Sequence, residues 1–132
     1  MIYFKTEEEQ EEFWKLDARL RLLLYMIEEY ILGLNEGVDG VLVTDALRTK
    51  HEDNALGAVG IHPTGRALDF VLVDVDKKRV TKPTLVSKIL SVINNHVLYN
   101  SGPYKTLIYH DVGHGAHFHL QVNRSGETIL RK

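Results

Sequence analysis

Ala67-Leu-Asp-Phe-Val-Leu-Val73 restricts the fold of this chain more than any other stretch. Its side chains alternate with the period of an extended strand, so Ala67, Asp69 and Val71 share one face and Leu68, Phe70 and Leu72 the other. The turn Pro63-Thr64-Gly65 leads into it, and Gly65 lets backbone come close to whatever lies there. A carboxylate in the middle of such a strand loses its hydration and needs a positive partner. Either a metal ion or the guanidinium of Arg66 or Arg48 would serve.

About fifty residues after His62 comes His114-Gly-Ala-His117-Phe-His119, and four of the seven histidines fall between His110 and His119. Thr106–His110 reads as a strand, Asp111–Gly115 as a tight connection, and His117–Val122 as the hairpin partner. On that partner strand His117 and His119 point to one face and Phe118 to the other. With no cysteine in the chain, thiolate ligands and disulfides are excluded, and only His, Asp and Glu remain for a metal site. Two imidazoles and one carboxylate form a borderline N/O donor set that suits Zn2+. Three protein ligands would leave the fourth tetrahedral position open for water, as in catalytic zinc sites.

The remaining elements give one α+β domain over residues 1–132. Thr6 and Glu9 form a capping box, and Phe13, Leu16, Leu20, Leu23, Leu24, Ile27 and Ile31 recur at helical spacing up to Gly33. These predict one long amphipathic helix over 6–33, with Trp14 in its core and Gly33 at its C-cap. Val41–Thr44 predicts a short strand. Thr81–Pro83 opens a second helix running to about Val97, with Leu85, Ile89 and Ile93 inward. His96 at its end is expected to be structural, facing the negative helix terminus. Thr128–Leu130 would either add an edge strand or fray. The expected architecture is a small antiparallel sheet carrying the metal site, packed against the long N-terminal helix and the second helix.

A formal charge of −2, with 26% charged and 44% hydrophobic residues, is ordinary for a soluble protein and shows no basic patch that would track nucleic acid. No apolar stretch is long enough to span a bilayer, and the N-terminus lacks the features of a signal peptide. The expectation is a monomer synthesised in the cytoplasm without a signal peptide, which reaches a substrate outside it only if something else provides access.

His62-x-x-Gly65-x-Ala67-x-Asp69 followed by His114-x-x-His117-x-His119 resembles the zinc D-Ala-D-Ala peptidases and their fold relatives, the lysostaphin-type endopeptidases and the hedgehog signalling domain. The likeness covers roughly residues 44–122. It implies that His62, Asp69 and His119 bind zinc and that His117 faces the open metal position and handles protons, with His114 orienting His117 or sharing the proton. Arg48 matches an arginine that binds the substrate's carboxylate or the developing oxyanion; the other reading of Arg48 is an ion pair with Asp45, Glu52 or Asp53. The chain departs from the family pattern at Gly60, where serine is frequent, and at Asp45-Ala-Leu47, where the family has Ser-Gly-Tyr. His114 and Ala116 stand where a carboxylate base would lie, so the arrangement resembles the branch that moves protons with imidazole.

The implied activity is zinc-dependent hydrolysis of a peptide bond in peptidoglycan stem or cross-link peptides. The enzyme would be either a bacteriophage endolysin acting on the cell wall or a cytoplasmic dipeptidase. Two other classes remain open from the residues: a zinc-binding interaction module of the same fold without catalysis, and a metal-free accessory protein.

Overall fold

The computed structural model describes residues 1–46, 65–98, 105–111, 115–123 and 129–130. The fold is α+β. Strand β1 (Ile2–Phe4) is followed by helices α1 (Glu7–Phe13) and α2 (Ala18–Gly33), strands β2 (Gly40–Asp45) and β3 (Ala67–Val73), and helix α3 (Pro83–His96). Then come β4 (Val97–Leu98), β5 (Leu107–His110), β6 (His117–Gln121) and β7 (Ile129–Leu130). Five strands form one sheet in the order β1-β2-β3-β6-β5, and β4 pairs with β7 in a separate two-stranded ladder. Of the stretch expected as an edge strand, Ile129–Leu130 forms a strand, but outside the main sheet; Thr128 lies outside the described residues.

β1 runs parallel to β2, and every other pairing in the main sheet is antiparallel. A parallel pair needs a long crossover, and α1 and α2 supply it. Gly40 permits the close approach of the two strands, because a Cβ there would collide with the Met1 carbonyl.

The helix expected over 6–33 is two helices. Thr6 caps the first, accepting from the Glu9 amide, and its hydroxyl also contacts the Glu9 carboxylate. The second starts at Asp17, whose backbone is non-helical (φ −50°, ψ 133°) and whose carboxylate accepts from the Arg19 amide at 2.9 Å. The Asp17 amide turns away to donate to the Gly65 carbonyl at 2.8 Å, which ties the approach to β3, two residues before the strand, to the helical layer. The break is short enough for the apolar stripe to continue across it, with all seven residues from Phe13 to Ile31 buried, so periodicity alone reads it as one helix. Trp14 is not core: at the break its ring swings outward, 61% exposed, with the Arg21 guanidinium 5.7 Å above it. Nor does Gly33 cap α2; it is the last helical residue, and Asn35 takes the left-handed turn (φ 53°).

The helices cover one face of the sheet. Leu68, Phe70 and Leu72 of β3 and Phe118 and Leu120 of β6 join the α1, α2 and α3 residues in a single core. Across β3 and β6 the Phe70 and Phe118 rings stack at 5.0 Å and 12°, and Tyr109 of β5 tilts onto Phe118 at 4.7 Å. The opposite face carries Asp69, His117, His119 and Gln121. Among the described residues, no helix is long and apolar enough to cross a membrane.

The Arg19 guanidinium donates to Asp17 at 2.9 and 3.0 Å, and this hydrogen bonding outweighs partial burial to hold the Asp17 carboxyl below its ordinary range. A depressed folded pKa adds stability above the unfolded value of about 3.9 and loses it as pH falls through the folded value. Asn at an N-cap retains the cap but not the charge. Asp17→Asn is therefore expected to lower the urea midpoint at neutral pH, by an amount that shrinks as the pH falls through the titration range of the folded carboxyl. Asp17→Ala should cost about 1 kcal/mol more through the lost cap.

Candidate metal centre

Strand register builds the site. Asp69 of β3 sits directly opposite His119 of β6, and His117 opposite His110 of β5. Directly opposed residues of an antiparallel pair share a face with Cβ atoms about 4.5–5.5 Å apart, and His117 and His119 share a face by the period of two. One carboxylate and three imidazoles therefore gather on the side of the sheet away from the helices. Asp69, His117 and His119 are 6%, 8% and 8% exposed.

Asp69 Oδ1 lies 2.9 Å from His119 Nδ1, and Asp69 Oδ2 lies 3.5 Å from His117 Nε2. The far nitrogens face carbonyl oxygens: His117 Nδ1 is 3.1 Å from the Gly115 carbonyl and His119 Nε2 is 3.1 Å from Gln121 Oε1. A carbonyl can only accept, so both far nitrogens carry the proton and donate. In the neutral rings the lone pairs then sit on His117 Nε2 and His119 Nδ1, the two atoms directed at the Asp69 carboxylate. Four lone-pair atoms then face one another, and such a cluster favours positive charge among them; Asp69 and His119 also make contacts beyond these.

Zn2+ accepts carboxylate and imidazole donors of this kind at about 2.0–2.2 Å. The 2.9 Å between Asp69 Oδ1 and His119 Nδ1 is a hydrogen-bond separation, shorter than the roughly 3.3 Å between neighbouring donors of a tetrahedral site. Asp45 is a register neighbour of Asp69 at an irregularity in β2. Arg66 reaches instead toward the Val122 carbonyl, 3.4 Å away.

Of the residues singled out in the sequence, Asp69, His117 and His119 come together. His62, Arg48 and His114 lie outside the described residues. Among the described residues no group of three His, Cys, Asp or Glu side chains is arranged to hold a metal ion, so Asp69 and His119 would need a ligand from elsewhere in the chain, where His62 lies.

Two members of the site escaped the sequence reading. His110 was counted among the clustered histidines without a role; its ring meets His117 edge-on at 4.9 Å and lies 5.9 Å from His119. Burial, and then the neighbouring His117 and His119, push its pKa below the usual imidazole value. The signal for His110 was the hairpin register, which pairs it with His117. Gln121 was read only as a strand residue, although its place two after His119 puts it on the site face. At the helix end His96 Nδ1 lies 2.7 Å from the Val92 carbonyl, within its own helix and outside this cluster.

Neither a protein-family model, nor a curated protein, nor a solved structure matches the chain.

Proposed function

We propose that this protein is a zinc-dependent hydrolase of peptide bonds in peptidoglycan stem or cross-link peptides. The observation that carries the metal reading is the convergence of both Asp69 oxygens, His119 Nδ1 and His117 Nε2 in one buried spot. Asp69 and His119, with His62 of the sequence motif, would hold the ion. A bound zinc supplies Lewis acidity and makes hydroxide available near neutral pH. His117 keeps its Nδ1 proton on the Gly115 carbonyl, so Nε2 is the nitrogen that accepts a proton from water and returns it to the leaving amine. By the motif, Arg48 pairs with the substrate carboxylate or the oxyanion and His114 steadies His117. The substrate class rests on the His62 to His119 pattern and its resemblance.

The test is release of free amino groups from purified sacculi and from D-Ala-D-Ala. Activity that a chelator abolishes and zinc restores is expected. Cleavage of sacculi would indicate a lytic enzyme, and cleavage of the dipeptide alone a dipeptidase. Zinc uptake with no hydrolysis of either substrate would overturn the enzymatic reading and leave a zinc-binding module.

A further inference from the structure

We infer that Gln121 is a positioning residue that locks His119 into the tautomer whose Nδ1 faces Asp69, and so decides which nitrogen of His119 a metal meets. The inference rests on the metal reading of this site for its consequence but not for its geometry. Gln121 follows His119 by two on β6, so the two side chains lie side by side on one face. The Gln121 carboxamide is 7% exposed as a residue and is held at both ends: its Nε2 donates to the Lys105 carbonyl at 2.8 Å, and its Oε1 stands 3.1 Å from His119 Nε2. The Gln121 amide also donates to the Thr106 carbonyl at 2.9 Å, which fixes the backbone from which the side chain projects.

The chain of donors runs in one direction. The Lys105 carbonyl can only accept, so the NH2 end of Gln121 must face it. That leaves the amide oxygen toward His119, and an amide oxygen can only accept as well. His119 must therefore donate from Nε2, which leaves the lone pair of the neutral ring on Nδ1, 2.9 Å from Asp69 Oδ1. A backbone carbonyl in the strand flank thus sets the protonation pattern of the metal-facing imidazole through a single side chain. Outer partners of this type orient metal-binding histidines and raise their basicity, and their loss costs about 10–100-fold in metal affinity.

Leucine approximates the shape of glutamine without its polar end. Glutamate retains an acceptor for His119 but sets a carboxylate against the Lys105 carbonyl. Long-range 15N–1H NMR of the metal-free protein, at about pH 8.5 and so above the usual imidazole range, reads the tautomer directly and independently of zinc. The expected result is the Nε2–H form of His119 in the wild type and in Gln121→Glu, and a mixture or the Nδ1–H form in Gln121→Leu. Zinc affinity should fall about 10–100-fold in Gln121→Leu and much less in Gln121→Glu. An Nδ1–H tautomer in the wild type would overturn the inference even if neither variant folds. So would an unchanged tautomer, or zinc affinity within about twofold of wild type, in folded Gln121→Leu. A wild type that shows the Nε2–H form yet takes up no zinc would refute the metal reading and leave the Gln121 lock standing.

Discussion

His117→Ala is expected to retain zinc and to lower kcat/KM for peptide hydrolysis by about 10²–10⁴-fold, the range that a positioned general acid–base supplies. The expectation follows from the orientation of the ring. Its Nδ1 is committed to the Gly115 carbonyl at 3.1 Å, and its Nε2 stands 3.5 Å from Asp69 Oδ2, farther from that carboxylate than His119 Nδ1 at 2.9 Å. Gly115 adopts φ 88°, a left-handed conformation that favours glycine, and this turn brings its carbonyl within reach of the ring two residues on. The His110 and His117 rings meet edge to face, with centroids 4.9 Å apart. His117→Gln, which can hydrogen-bond but cannot shuttle a proton at neutral pH, should be as inactive as the alanine variant. Full activity in either variant would remove His117 as the proton carrier.

Phe118→Ala is expected to destabilise the fold by about 3–5 kcal/mol, the usual cost of emptying a fully buried phenylalanine site. Phe118 is 0% exposed, stacks on Phe70 and takes the Tyr109 ring on its other contact; aromatic pairs of this type add about 0.5–1.5 kcal/mol beyond area burial. The loss is large beside a typical domain stability of about 5–15 kcal/mol, and equilibrium urea unfolding measures it. Phe118 lies between His117 and His119 on β6, with its ring in the core while theirs face the site, so the same packing that supports the fold aims the two imidazoles. Phe118→Leu, which conserves most of the volume, should cost less than half as much and leave zinc affinity close to wild type. A loss under about 1 kcal/mol in Phe118→Ala would mean that this ring does not hold the sheet to the helices.

The antiparallel core of the sheet was legible because β6 alternates strictly between polar and apolar residues and β3 is an apolar run broken only by Asp69. Leu68, Phe70 and Leu72 against Ala67, Asp69 and Val71 needed no other information. The α3 stripe followed from its 3.6-residue spacing, and the antiparallel pairing of β5 with β6 from the closeness of the two strands in sequence. The interruption of the N-terminal helix was not legible, because Phe13, Leu16 and Leu20 keep their spacing through the break. What makes the break is Asp17, whose carboxylate satisfies the Arg19 amide while its own amide crosses to the Gly65 carbonyl, a tertiary contact that local propensity does not encode. Trp14 was misplaced in the core for that reason. β1 was missed because Ile2–Phe4 is too short to show a period, although its β-branched and aromatic content was a signal.

At the site, the meeting of Asp69 with His117 and His119 was suggested by residue type and order. The roles of His110 and Gln121 depend on cross-strand register and on which end of an amide faces a carbonyl, and both become visible only once β5 and β6 are paired.

The most direct measurement is the zinc content of protein purified without chelator or an affinity histidine tag, alongside Asp69→Ala, His119→Ala, His62→Ala and His117→Ala. The convergence of lone pairs on one buried spot predicts about one zinc per chain in the wild type and in His117→Ala, and none in the three ligand variants. A wild type that carries no zinc and takes up none on titration would contradict it, leaving protonated imidazoles as the positive partners of Asp69.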